Sequence, residues 1–385
     1  MRVAIFTDSY YPTRDGVVTA VDTTRHLLEA MGHQVFIFAP DPGDEKQREP
    51  GVYYFRARKF RTYKGYFVPM YPSDQTEIVK QLNIDVIHIH GVAFMAMKAL
   101  FASHNTHVPT VLTYVTMVTD VIEQYSPVKL PKEELVELSG IYLRQLLKRP
   151  NAIVVPTPCT GKEITDELGV HPKRLEIIPI GVDVDHFVRN DQGPAVRAQY
   201  HLEGKRVLIT VGRLSFEKNV DLLIRSMKLM PADTVLLVCG KGPCGDELQQ
   251  LANDEGVAER VVFAGFVPDD RLVAHYSCAD AMISASVFET QGLTVLEAMS
   301  CGLPTACGNG RAFADFVKDG ENGYLFNLTE RECAAAMERA LNAPDAVRQA
   351  ARATAEEYSI AHTADALVKL YGEVIAAKQT EQAEH

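Results

Sequence analysis

What most constrains this chain is a rhythm. Short runs that are apolar at every position recur through nearly its whole length, each separated from the next by a longer helical pattern. A strand with one wet face alternates apolar and polar residues. A strand apolar at every position is buried on both faces, as in a parallel sheet covered by helices. The runs are Arg2–Thr7, Gln34–Ala39, Asp85–Ile89, Thr110–Tyr114 and Ala152–Pro156, then Arg206–Val211, Thr234–Cys239, Arg260–Ala264 and Asp280–Ser284. The class is therefore α/β. The rhythm breaks once, at the polar stretch Gly181–Pro194, which reads as a linker. With 385 residues, 46% of them hydrophobic, the chain can bury two cores. The expected architecture is two Rossmann-like, doubly wound parallel-sheet domains facing across a cleft. One spans residues 1–185 with a last helix near 361–378, the other 186–360. The polar tail Lys378–His385 is expected to fray.

Composition removes several classes of function. A net charge of −11 argues against an extended nucleic-acid surface, which needs many clustered Lys and Arg. The seven cysteines (159, 239, 244, 278, 301, 307 and 333) include no C-x-x-C pair, so they read as buried thiols in a reducing compartment and not as a disulfide framework or zinc site. The opening MRVAIFTDSYY has an apolar run of only a few residues and starts like a buried strand, not like a secretion signal. No window approaches the roughly 18 apolar residues of a membrane span. A cytoplasmic protein is expected, at most peripheral on the inner face of the cell membrane.

In a doubly wound sheet ligands sit beyond the carboxyl ends of the strands, so the loops after strands carry the chemistry. The stretch Ser286–Gly310 (SVFETQGLTVLEAMSCGLPTACGNG) places Glu289 in a loop before a helix and Glu297 about two turns inside it. A helix N-terminus favours an anion while carboxylates accept from hydroxyls, and a polyhydroxylated phosphate ester offers both groups. Val211–Asn219 (VGRLSFEKN) sets Arg213 and Lys218 at the carboxyl end of a strand, where two cations can hold a diphosphate without a metal. Gly240–Gly245 (GKGPCG) satisfies G-x-G-x-x-G, but Pro243 removes a donor and the next strand ends in Ala264-Gly265-Phe266-Val267 with no acid for a ribose. It reads as a close-packed turn, and Gly265–Val267 as backbone available to a base with Phe266 packing nearby. Asp85–Gly91 (DVIHIHG) puts His88 and His90 on one strand face, without further metal ligands nearby, and reads as a polar cleft wall. Thr7–Val17 (TDSYYPTRDGV) is either an ordinary βα turn or a phosphate loop closed by Gly16. Arg56–Tyr66 (RARKFRTYKGY) mixes cations with aromatic rings and is either a solvated loop or a contact to anionic lipid.

With VGRLSFEKN, GKGPCG and FETQGLTVLEAMSCGLP in this order, the chain resembles the GT-B glycosyltransferases of the large retaining family 4. The resemblance runs from MRVAIFTDSYYPTRDGV to ENGYLF at Glu321–Phe326 and is most specific at Glu289–Glu297, which matches the family's E-x7-E signature. FTDSYYPTRDGV and HIHGVAFM are similar to the branch that glycosylates membrane lipids.

The resemblance implies a metal-independent, retaining transfer of a hexose from a nucleotide-diphospho-sugar, UDP- or GDP-linked, to a lipid or glycan acceptor, with no cofactor. It implies that Glu297 binds the ribose hydroxyls, and that Glu289, Thr290, Gln291, Gly292 and Leu293 hold the donor sugar and phosphate. Arg213 and Lys218 would neutralise the departing diphosphate, Gly16 would close over it, and Val267 would lie by the base. Where relatives commonly read T-[YF]-H-T, this chain has Tyr114-Val115-Thr116-Met117. Val115 replaces a histidine that could donate or accept, which makes His90 its candidate substitute. That departure keeps a non-catalytic nucleotide-sugar-binding protein in view, and the shared architecture keeps a nucleotide-sugar epimerase.

Overall fold

A computed structural model describes residues 1–11, 16–59, 67–71, 73–115 and 131–383. The chain divides into two compact units, Met1–Ile180 with Ala361–His385, and Gly181–Ile360.

In the first unit, strands β1 (Arg2–Thr7), β2 (Gln34–Pro40), β3 (Val52–Phe55), β6 (Val86–His90), β7 (Thr110–Thr113), β8 (Ala152–Val155) and β9 (Leu175–Ile177) form a seven-stranded sheet in the order 3-2-1-6-7-8-9. All its pairings are parallel. A separate antiparallel pair joins β4 (Ala57–Lys59) to β5 (Phe67–Pro69). In the second unit β10 (Arg206–Val211), β11 (Thr234–Cys239), β12 (Val261–Gly265), β13 (Ala281–Ser284), β14 (Thr305–Gly308) and β15 (Tyr324–Phe326) are ordered 12-11-10-13-14-15, again all parallel. Both are doubly wound Rossmann-like sheets. Each order reverses once, between β1 and β6 and between β10 and β13, and such a switch point opens a crevice at the carboxyl ends of its two strands.

The unbroken apolar runs follow from burial on two faces. Along β10, Val207 and Ile209 enter one core with Leu237, Met282, Leu296 and Met299, while Leu208 enters the other with Leu236, Val238 and Ile283. Each such side chain contributes about 1.5–3 kcal/mol when fully buried. The short strands β3, β9, β14 and β15 were not foreseen, so each sheet is larger than the runs alone indicate. The last helix runs over Ile360–Ala383, through most of the tail expected to fray, and Lys378 pairs with Glu381 along it. Its Leu367, Leu370, Tyr371 and Val374 pack into the core of the first unit against Val3, Ile5 and Val111.

The backbone enters and leaves the second unit side by side. Val182 N–H donates to Tyr358 and Ile360 N–H to Val182. A Cβ on Gly181 would lie 2.3 Å from the Ile360 Cα. Among the described residues no helix is long and apolar enough to cross a membrane. Cys159 and Cys244 are partly exposed, the other five cysteines are buried, and none is paired in a disulfide.

Candidate functional site

The switch point of the second unit gathers most of the residues singled out in the sequence. After β10 the chain passes Arg213, which is exposed, and makes a short turn at Phe216–Lys218. After β13 it passes Ser286 and Glu289 to the helix Leu293–Ser300. The two loops are joined by Val287 N–H donating to the Glu217 carbonyl at 3.0 Å. They are joined again by Lys218 Nζ on Glu289 Oε1 at 2.5 Å, a half-buried pair. One cation and one carboxylate thus meet at the mouth of the sheet.

Backbone packing fixes the neighbouring loop. A Cβ on Gly240 would stand 1.8 Å from the Gly212 carbonyl oxygen, and one on Gly242 would stand 2.2 Å from that of Leu214. Leu214 N–H donates to Lys241, and Gly240 N–H to Gly265. GKGPCG is therefore the close-packed turn expected of it, spent on holding the Arg213 loop against its neighbours. Val267 is half-buried against the core, and Phe266 is 65% exposed.

Gly292 caps the helix Leu293–Ser300 with φ +85°, a left-handed conformation that glycine adopts without strain. A Cβ there would also meet the Phe313 ring at 2.5 Å. Gln291 beside it is buried, and Thr290 and Leu293 are half-buried. Glu297 lies just over one turn into the helix and not two. Its Oε2 accepts from the Tyr276 hydroxyl at 2.8 Å. Burial pushes its carboxyl up to about 7, with the Tyr276 hydrogen bond pulling the other way and Asp269 adding to the rise. Tyr276 went unremarked in the sequence, where it is one apolar-face residue among several in the helix Asp269–Cys278.

Gly16 and His90 belong to the first unit. Gly16 is the first residue of the helix Gly16–Ala30; the loop Pro12–Asp15 before it lies outside the described residues. His88 and His90 do not form a polar wall. Both are buried, their rings 4.2 Å apart. His88 Nε2 meets Thr113 Oγ1 at 2.6 Å and its Nδ1 meets the Tyr371 hydroxyl at 2.5 Å. His90 Nε2 is buried with no hydrogen-bond partner among the described residues, and burial lowers that imidazole to about 4. The reason is their strand: β6 lies at the centre of the sheet, and the last helix packs on His88 through Tyr371. Val115 is half-buried, and residues 116–130 lie outside the described residues.

At the switch point of the same sheet, Asp8 accepts from the backbone N–H groups of Met95 at 2.7 Å and Ala93 at 3.1 Å. Burial raises its carboxyl to about 6 against those hydrogen bonds. In Arg56–Tyr66, the exposed Arg56, Arg58 and Lys59 lie in or beside β4; residues 60–66 lie outside the described residues. Among the described residues no three His, Cys, Asp or Glu side chains group as metal ligands.

Comparison with known proteins matches residues 14–186 to the family model "Glycosyltransferase Family 4" and residues 194–357 to "Glycosyl transferases group 1". An alpha-monoglucosyldiacylglycerol synthase of Streptococcus pneumoniae is 27% identical over 362 residues, 90% of this chain and 79% of the relative. One from Acholeplasma laidlawii is 28% identical over 346 residues, 86% of each chain. Among solved structures, HepE of Anabaena in complex with UDP superposes with a TM-score of 0.77 at 17% identity, over 97% of this chain and all of that one. At that identity the likeness concerns the fold.

Proposed function

This chain belongs to glycosyltransferase family 4, is built on the GT-B fold and is a glycosyltransferase, and from that premise we propose that it transfers a hexose, with retention, from a nucleotide-diphospho-sugar to a lipid or other membrane-associated acceptor. The second unit, on this reading, binds the donor and the first takes the acceptor. The carrying observation is the meeting of Lys218 and Glu289 at the switch point of the donor sheet, with Arg213 on one of the two loops and Glu297 in the helix that follows the other.

The chemistry follows from these charges. A diphosphate competes with Glu289 for Lys218 and also draws on Arg213; Glu289, released from the ion pair, accepts from sugar hydroxyls. As the glycosidic bond lengthens, negative charge grows on the diphosphate oxygens that the two cations face, so the site stabilises the transition state more than the ground state. The cations supply the positive charge that a metal would otherwise bring. Glu297 takes the ribose. What remains is to hold an acceptor hydroxyl near the anomeric carbon.

A lipid acceptor is supported by the first unit. Along the helix Phe94–Thr106 the large apolar side chains Phe94, Met97 and Phe101 stand 42–56% exposed. Leu138, Ile141 and Tyr142 of the helix Lys132–Leu146 stand 38–55% exposed. Tyr142 donates to the Val92 carbonyl at 2.7 Å, which ties the second helix to the start of the first. The relatives from Streptococcus pneumoniae and Acholeplasma laidlawii are named for synthesis of a glucosylated diacylglycerol. On this reading the protein works from the cytoplasmic face of the membrane.

The test is transfer from UDP-glucose, UDP-N-acetylglucosamine or GDP-mannose to diacylglycerol in mixed micelles. Glu289→Ala and Lys218→Ala should each lower kcat about 10²-fold or more, whereas an active wild type with unaffected variants would defeat the assignment. Val115, in place of a hydrogen-bonding histidine, favours a second reading as a donor-binding protein without turnover. Calorimetric donor binding with no product from any acceptor is its signature.

A further inference from the structure

Tyr276 is fully buried in the helix Asp269–Cys278, yet its hydroxyl stands between two acceptors. The Thr294 carbonyl is 3.1 Å away and Glu297 Oε2 is 2.8 Å away. A phenol carries one hydrogen, so both bonds cannot be donated at once. With Glu297 ionised, the hydrogen goes to the carboxylate, the stronger acceptor. With Glu297 protonated, the carboxyl donates to the phenol oxygen and the phenol donates on to Thr294. Both arrangements satisfy the buried hydroxyl, but only the first presents a carboxylate whose remaining lone pairs all accept.

We propose that Tyr276 is a positioning residue for Glu297, a two-state hydrogen-bond relay that holds the carboxylate in its accepting form for the vicinal hydroxyls of the donor's ribose. The proposal rests on Glu297 being the ribose anchor and adds what sets its state. The other titratable groups coupled to Glu297 are Asp269, on the same helix as Tyr276, and Cys301, beyond the end of its own helix; Arg189 and Arg352 act in turn on Cys301. Both arginines are engaged with backbone carbonyls, Arg352 with Ser300 at 2.6 Å and Arg189 with Ala279 at 3.1 Å. Asp269 disfavours the ionised form. The phenol is therefore the neighbour that both touches the carboxyl and stabilises its charge. Burial raises the Glu297 carboxyl to about 7, which sets the two states near balance at neutral pH.

The experiment is calorimetric titration of the full chain with UDP and with GDP from about pH 6 to 9, for wild type, Tyr276→Phe, Glu297→Gln and the double variant. Wild-type affinity should rise with pH through a midpoint near neutrality, as Glu297 ionises. Tyr276→Phe should move that midpoint up by about one pH unit. Affinity then falls about fivefold near pH 7, approaches a tenfold loss toward pH 6, and returns toward wild type by about pH 9. Glu297→Gln should bind weakly with a flat profile, and the double variant should match it. A Tyr276→Phe midpoint that stays in place while affinity drops equally at every pH would mean that Tyr276 only packs, and would overturn the relay. If Tyr276→Phe does not fold, difluorotyrosine at 276, a stronger donor, should shift the midpoint to lower pH; no shift overturns the relay equally. Wild-type binding by Glu297→Gln would instead remove the ribose anchor itself.

Discussion

Glu297 answers to folding and to binding in opposite senses. In the folded chain its carboxyl holds a proton up to about pH 7, where an ordinary glutamate releases it near 4.5. Between those values the folded state binds more protons than the unfolded one. Stability from this group is therefore highest below about pH 4.5 and is lost as pH rises toward 7. Glu297→Gln removes that slope. The melting temperature of the variant minus that of wild type should grow from about pH 5 to 8 and then level off, whereas a pH-independent difference would contradict the burial of this carboxyl. The pair Glu289 and Glu297 is legible in the sequence because its spacing is local to one loop and one helix. Tyr276 is not legible, since it reaches Glu297 from another helix and nothing in its own segment marks it. The burial of His90 is not legible either, because it depends on the place of β6 at the centre of the sheet and not on the strand's own sequence.

The elements around the site owe their placement to a few backbone contacts that admit no side chain. Gly292 has both a left-handed φ of +85° and the Phe313 ring at 2.5 Å from any added Cβ. Gly292→Ala should therefore cost about 2–4 kcal/mol in urea melts and weaken nucleotide binding together with stability. An unchanged midpoint would mean that the helix Leu293–Ser300 starts elsewhere. The apolar faces of Phe94–Thr106 and Lys132–Leu146 allow a different test. Phe101→Asp with Leu138→Asp replaces exposed side chains, so melting should change little while co-sedimentation with phosphatidylglycerol vesicles falls several-fold. Equal sedimentation would detach these helices from the acceptor reading. Long strands were legible because β-branched runs buried on two faces have a plain signature. Thr305–Gly308 and Tyr324–Phe326 were not, being too short for periodicity to register and held in place by strands far away in sequence.

At the scale of the molecule, the alternation of buried runs and helices dictates parallel sheets, and both sheets have them. Strand order is a matter of long-range pairing, and the sequence of a strand does not say which neighbour it takes. Only with that order known do the loops after β10 and β13 become neighbours, and with them Lys218 and Glu289. The adjacency of Val182 with Tyr358 and Ile360 has a consequence of its own. The second unit leaves and rejoins the chain at one spot, so its two ends already touch, and it is in effect a cassette inserted into the first unit. Cassettes of this kind tolerate excision and circular permutation. Residues 181–360 expressed alone, or joined end to end and reopened at the exposed Gly204, should unfold cooperatively and still bind a nucleoside diphosphate by calorimetry. A molten or non-binding fragment would show that the two units depend on each other to fold. Success would make donor recognition portable, a part that can be moved between acceptor-binding scaffolds by cutting and sealing the chain at a single point.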